Sequence, residues 1–263
     1  MSATSAPVLF AAVGDVHGYQ HAMVRLLTEW ETRHGQRLSF VLQTGDFEPV
    51  RDAADLASMP VPEKYRKLGD FSAYHTERAE FPWPVWFVAG NHEPFAFLGG
   101  LPKGGRVARN CYYLGRSGQR DIGCLRVAWL GGISTQTGPL DKMESRRWKS
   151  HAYFTERDVD HAMAYGKTDI LLLHDWPQGA ASPQEARGRR RAGGPRGPGN
   201  ETACLLVDLL EPRLVLAGHM HWPHRAQLSA RTQFVGLAHI DQGREAFAVF
   251  RQEESGDLVE VDG

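Results

Sequence analysis

Five short apolar runs in this chain end in residues that can do chemistry. Residues 8–13 lead into Gly14-Asp15-Val16-His17-Gly18, residues 39–43 into Thr44-Gly45-Asp46, and residues 85–89 into Gly90-Asn91-His92-Glu93. Residues 169–173 lead into His174-Asp175-Trp176-Pro177, and residues 214–217 into Gly218-His219-Met220-His221. An Asp and a His two positions apart at a strand exit can aim an oxygen and an imidazole nitrogen at one point, which suits a hard or borderline metal ion. Any one of these residues alone reads equally well as a turn residue or a satisfied polar group at a strand end. Five exits all carrying Asp, Asn or His do not. The set is too rich in carboxylate for one structural zinc and contains no thiolate. It suits two divalent ions sharing a bridging carboxylate, which clamp the attacking and leaving oxygens of a phosphoryl displacement. Asn91 adds a neutral oxygen ligand, and His92 adds an acid or base able to titrate near neutrality.

The elements that must position these groups follow from hydrophobic patterning. Residues 19–34 carry Met23, Leu26, Leu27 and Trp30 at helical spacing, with Gly35 suited to the helix end. Strand, helix and strand, with an acid at both strand ends, is the layout of an open α/β sheet with a site at its carboxyl edge. Residues 47–82 form a long connection broken by Pro49, Pro60 and Pro62. The runs 111–114 and 125–130 are read as sequential strands of a second, stacked sheet, paired antiparallel. Thr155-Glu156-Arg157-Asp158 resembles a capping box for a helix carrying Val159 and Met163 and closing at Gly166. Asn200 caps a helix through Leu210, ended by Pro212, and residues 232–240 and 246–251 read as closing strands.

One stretch departs from this pattern. Residues 178–199 are rich in Gly and Pro and hold Arg187, Arg189, Arg190, Arg191 and Arg196. Such a composition is not expected to build a core, and a mobile surface loop is the reading. Its arginines are equally suited to contacting phosphates or to staying solvated. No internal repeat or linker divides the chain, so residues 1–263 read as a single domain.

Composition sets the outer bounds. The 263 residues are 42% hydrophobic and 23% charged, ordinary for a globular protein with a sizeable core. Thirty basic residues stand against 31 acidic ones, so no global field recruits nucleic acid or membrane. Cys111, Cys124 and Cys204 are widely spaced, which implies neither a disulfide framework nor a thiolate metal site and fits a reducing, cytoplasmic setting. No cationic leader precedes the first apolar run, and no apolar stretch reaches the roughly 18 residues of a membrane span. No membrane or protein partner is implied.

Taken in order, Asp15-x-His17, Gly45-Asp46, Gly90-Asn91-His92-Glu93, His174 and Gly218-His219-x-His221 resemble the motifs of the calcineurin-like metallophosphoesterases. That resemblance implies a four-layer αββα sandwich, two stacked mixed β-sheets flanked by helices, with a binuclear site at the strand ends. By position it implies that Asp15, His17 and His221 bind one metal, that Asn91, His174 and His219 bind the second, and that Asp46 bridges. It places His92 over the substrate as an acid, oriented by Glu93. The ions implied are two divalent metals, manganese, iron or zinc, with manganese favoured.

Within the superfamily the chain is most similar to the RNA lariat debranching enzymes. The similarity rests on residues 45–52 and 59–65, Gly69-Asp70-Phe71, Tyr112-Tyr113-Leu114-Gly115, Gly131-Gly132-Ile133-Ser134 and His174-Asp175-Trp176-Pro177. Ser/Thr protein phosphatases share the first and third motifs. They differ by a Val-Asp-Arg-Gly continuation after the second aspartate and a Gly-Gly pair after the fourth-motif histidine, both missing here. Three departures from the debranching group stand out. Asp15 occupies a position where the eukaryotic enzymes carry Cys, residues 135–151 are shorter and divergent, and the long C-terminal domain is missing. The resemblance implies phosphodiester hydrolysis of RNA, another nucleic acid or a nucleotide. In-line attack by a hydroxide between the metals is expected, with protonated His92 assisting the leaving oxygen. Arg51 is expected to bind substrate. The alternatives are a phosphomonoesterase or protein phosphatase of the same superfamily, and a binding scaffold of the same fold without catalysis.

Overall fold

The computed structural model describes residues 8–135, 138, 148–189, 193 and 196–261. Its strands are β1 (Leu9–Val13), β2 (Phe40–Gln43), β3 (Val85–Phe87), β4 (Gly105–Ala108), β5 (Cys111–Tyr113), β6 (Ser117–Ile122) and β7 (Leu125–Leu130). They continue as β8 (Ile170–Leu173), β9 (Leu214–Ala217), β10 (His224–Gln227), β11 (Gln233–Gly236), β12 (Phe247–Gln252) and β13 (Leu258–Val261). One sheet has seven strands in the order β13-β12-β1-β2-β3-β5-β4, and the other has six in the order β10-β11-β9-β8-β7-β6. Both are mixed. β1, β2, β3 and β5 run parallel to one another in the first sheet, as do β7, β8, β9 and β11 in the second, and the remaining strands add to them antiparallel.

Alternation along the strands builds the layers. Phe10, Phe40, Leu42 and Phe250 face Val127, Ile170, Leu172 and Leu216 across a buried inter-sheet core. Ala11, Val13 and Val41 point the other way and pack on Met23, Leu27 and Trp30 of helix α1 (Gln20–His34). Three short helices, α2 (Ala53–Ala57), α3 (Phe71–His75) and α4 (Phe95–Leu98), follow in the connections around β3. The outer face of the second sheet is covered by α5 (Glu156–Met163) and, after the short α6 (Pro183–Ala186), by α7 (Glu201–Leu210). The architecture is an α/β sandwich of two stacked mixed sheets flanked by helices. Local signals bound the helices, although α5 stops at Met163, with Ala164 as its C-cap, ahead of the close expected at Gly166. Gly35 takes φ +61° after α1, Thr155 and Asp158 form a capping box on α5, and Asn200 accepts from the Ala203 amide at the start of α7.

Two expectations are corrected. The runs 111–114 and 125–130 do not pair with each other. Cys111–Tyr113 lies parallel to β3 in the first sheet, whereas Leu125–Leu130 lies in the second. Their antiparallel partners are β4 and β6, polar edge strands without a hydrophobic alternation to announce them. The segment 178–199 also does more than trail over the surface. Ala180, Ala181 and Ala186 are buried in the core under the second sheet, and Ser182 with Glu185 forms a capping box on α6. Gly199 lets the stretch approach the Trp176 carbonyl, from which a Cβ there would stand only 2.6 Å. Arg196 is paired with Glu201 at 2.5 Å, Arg189 lies over Trp222 at 5.2 Å, and Arg190 and Arg191 fall outside the described residues.

Phe10 is fully buried, with the rings of Phe40 and Phe250 stacked at 5.2 and 5.4 Å. Phe10→Ala is therefore expected to destabilise the fold by about 3–5 kcal/mol, through lost transfer energy and a cavity between the sheets. Chemical denaturation checks this, and a loss under about 1 kcal/mol would contradict a close-packed inter-sheet core.

Candidate metal centre

Parallel register brings the motif loops to one edge. Val13 pairs with Gln43 and Gln43 with Phe87, so the chain leaves β1, β2 and β3 side by side. In the second sheet Leu172 pairs with Leu216 and Ala217 with Gly236, so β8, β9 and β11 exit together. Hydrogen bonds join the two edges. His174 Nδ1 lies 2.8 Å from the Thr44 carbonyl oxygen, and the His219 amide donates to Asp15 Oδ1 at 3.1 Å.

The side chains converge on Asp46, which is fully buried. Its Oδ2 is 3.5 Å from His17 Nε2 and its Oδ1 is 3.5 Å from His174 Nε2. On the first side, His17 Nε2 stands 3.2 Å from His221 Nε2, which is itself 3.2 Å from Asp15 Oδ2. On the second side, His174 Nε2 is 3.1 Å from Asn91 Oδ1, and the His174 and His219 ring centroids are 4.9 Å apart. Asp15 with His17 and His221, His17 with Asp46 and His92, and Asp15 with Asp46 and His174 each gather their ligand atoms within 4.8 Å. Nitrogen and carboxylate donors this close, with no thiolate, are the donor set of a hard or borderline divalent cation. Asp46 Oδ2 is buried and accepts no hydrogen bond, as a carboxylate oxygen reserved for a cation would be.

The rings are held from behind. His174 faces Thr44 through Nδ1, and His17 Nδ1 lies 2.8 Å from Glu48 Oε1, so in both cases Nε2 is turned toward Asp46. The backbone is held in unusual conformations as well. Of eight non-glycine residues with left-handed φ among the described residues, five are His17, Asp46, Glu48, His219 and His221. Such conformations persist only where the surrounding structure over-determines them, and they gather at functional sites. Gly90 is required by close approach, since a Cβ there would collide with the Asp46 carboxylate and amide.

Charge follows from burial and neighbours. Burial opposes ionisation of Asp46, but the positive fields of His174, His92, His17 and His219 together hold its carboxyl well below the usual range. Burial, reinforced by the negative field of Asp46, pushes Glu48 up to about 8. The same two causes raise Glu93 well above the ordinary glutamate value.

All seven expected ligand residues meet in this cluster. His92 joins it, its ring centroid 5.2 Å from that of His17 and its side chain 28% exposed toward the open side. Its backbone amide donates to Asp46 Oδ1 at 2.7 Å. The Glu93 carboxylate does not hydrogen-bond to the His92 ring. It is fully buried and accepts from the amides of Phe47, Glu48 and Gly90 at 2.9–3.0 Å, tying the β2 and β3 exit loops together. Arg51 is not part of the cluster: it binds Asp55 through two nitrogens at 2.7 and 2.9 Å and lies 3.6 Å over the Phe97 ring. Two residues escaped the sequence reading. Glu48 contacts His17 and comes within 4.0 Å of His92, and His239 stacks on His17 with centroids 4.9 Å apart. His239 had a usable signal, because it follows β11 as the other histidines follow their strands.

The model of the calcineurin-like phosphoesterase family matches residues 8–223. A lariat debranching enzyme from Entamoeba histolytica is 33% identical over 245 residues, covering 88% of this chain and 68% of that protein. Another from Caenorhabditis elegans is 31% identical over 268 residues, covering 89% and 53%. The chain thus spans between about half and two thirds of the length of these relatives. A dimetal phosphatase structure from Danio rerio covers 95% of this chain and 94% of its own, with a TM-score of 0.56 at 15% identity, a likeness of fold. The chain belongs to the calcineurin-like phosphoesterase family.

Proposed function

We propose that this chain is a phosphodiesterase that works with two divalent metal ions. In this reading Asp15, His17 and His221 hold one ion, Asn91, His174 and His219 hold the other, and Asp46 is shared. The observation that carries it is the place of Asp46, whose two oxygens stand 3.5 Å from imidazole nitrogens on opposite sides. Imidazole and carboxylate donors without thiolate are compatible with manganese, iron and zinc, of which we take manganese as the working ion. Bound there, the two ions supply Lewis acidity and a water that ionises near neutral pH.

The protein's own residues do the rest. Glu48 and the Thr44 carbonyl keep His17 and His174 in the orientation that presents Nε2. Glu93 holds the two loops that deliver Asp46 and His92 in fixed relation. His92, at the open side, carries a proton to the departing oxygen. Arg51, committed to Asp55 and Phe97, acts by shaping this loop rather than by gripping substrate.

The substrate we propose is a phosphodiester of RNA, because the curated relatives are lariat debranching enzymes. We read residues 1–263 as one domain, since both sheets supply one site. A cytoplasmic setting is consistent with unpaired Cys111, Cys124 and Cys204, and no helix of the described residues is long and apolar enough to cross a membrane. A panel assay with manganese tests the proposal, using 2′,5′-branched RNA, linear RNA and DNA, cyclic nucleotides, and aryl mono- and diesters. Hydrolysis of diesters, with branched RNA turned over fastest, is expected. Activity confined to monoesters would replace this reading with a phosphatase.

A further inference from the structure

Beside the metal centre lies a surface that the chemistry above does not use. Tyr19, Tyr65 and Leu68 are 40%, 61% and 45% exposed. Residues 63–68 carry Lys64, Arg66 and Lys67 against a single acid, Glu63. Arg66 is occupied structurally, donating to the carbonyls of Val61 and Met59 at 3.1 and 3.3 Å and so pinning the segment to the small buried cluster of Val50, Met59 and Val61. The two lysines are left facing aromatic rings. Lys64 Nζ lies 4.9 Å from the Tyr65 ring centroid, and Lys67 Nζ lies 3.3 Å from Tyr19 Oη.

This segment is clamped to the loop that carries Asp15 and His17. The Asp70 amide donates to the Gly18 carbonyl at 2.8 Å. Gly18 and Gly69 pack so closely that a Cβ on Gly18 would stand 3.3 Å from the Gly69 Cα and 3.7 Å from Glu48 Oε2. Tyr19 is the next residue after Gly18. The patch is therefore tied to the loop that carries Asp15 and His17, and Lys67 is close enough to act electrostatically on Glu48, the partner of His17.

Exposed rings beside cations are what a single-stranded nucleic acid needs: faces on which bases stack and positive charge for the backbone. A small phosphoester would reach the metal ligands without them. We propose that Tyr19, Lys64, Tyr65 and Lys67 form a subsite for single-stranded RNA flanking the scissile linkage. The two tyrosines stack on bases and the two lysines neutralise phosphates. The inference rests on the phosphodiesterase reading with RNA as substrate and adds the residues that hold the strand.

The test is fluorescence anisotropy of a short end-labelled single-stranded RNA on the full-length, metal-loaded protein at several salt concentrations, with RNA integrity checked on gels. Tyr65→Ala is expected to weaken binding about tenfold, while Tyr65→Phe, which keeps the stacking face, stays within about twofold of the parent. The double variant Lys64→Gln/Lys67→Gln is expected to lower the slope of log affinity against log salt by about 1.4. Tyr65 is mostly exposed, so folding is preserved, and circular dichroism verifies it. If the parent hydrolyses diesters but all variants bind RNA as it does, with the same salt slope, the subsite is overturned and the phosphodiesterase reading stands. If the variants lose RNA binding as expected but only monoesters are hydrolysed, the subsite stands and that reading falls.

Discussion

Asp46→Asn is expected to lower phosphodiester turnover on the order of 10³-fold and to cost the protein its second bound ion. The substitution is nearly isosteric and spares the fold. An Asn Oδ1 still accepts the His92 amide now bound at 2.7 Å, and the residue stays within the space that Gly90 leaves for it. What disappears is the negative charge. Asp46 holds that charge in full burial because four imidazoles surround it, and a neutral amide between His17 and His174, whose Nε2 atoms stand 3.5 Å from its oxygens, would not attract two cations. Elemental analysis of the purified variant, beside kcat/KM on an aryl diester, reads both effects. Retention of two tightly bound ions would remove Asp46 from the shared position.

His92→Gln carries the second large effect, on the order of 10²–10³-fold, and its size depends on the substrate. A general acid matters most when the leaving oxygen is a poor one, such as a ribose hydroxyl, and least for a nitrophenolate that departs unaided. The imidazole is placed for this work at the open side, its ring centroid 5.2 Å from that of His17 and its Nδ1 4.0 Å from Glu48 Oε1. Its backbone amide, not its side chain, makes the bond to Asp46, so the variant keeps the loop in place. Turnover measured across diesters of graded leaving-group acidity should therefore fall steeply for the variant and gently for the parent. A parallel loss on every diester would assign His92 to charge stabilisation instead, and full turnover on the poorest leaving group would remove it from the reaction.

The central strands were legible in the sequence, and the four edge strands were not. β1, β2, β8 and β9 are buried on both faces, β3 is buried but for the half-buried Trp86, and all five read as apolar runs, so each motif stands at a recognisable strand exit. The unread strands β4, β6, β10 and β13 are the outer strands of the two sheets. Their polar, half-exposed residues, such as His224–Gln227, carry no periodic signal because one side of each has no neighbour to bury it. Assigning residues 111–114 and 125–130 to one antiparallel pair failed for the same reason, since the true antiparallel partners were these unread edges.

For the site, the sequence by itself determined which side chains stand at strand exits and what chemistry their types allow. The Asp15-x-His17 spacing is a local requirement, written where it acts, whereas Gly90 answers to the approach of Asp46 from another strand exit. The tertiary structure alone decided which exits face one another. His174 reaches Thr44 across 130 positions, and His219 reaches Asp15 across 204, contacts that exist only because one sheet is laid over the other. It also decided the roles of the glutamates. Glu48 became the partner of His17, and Glu93 bound three backbone amides rather than His92. A carboxylate takes whatever donors packing brings within about 3 Å, and residue type and spacing do not specify which those will be.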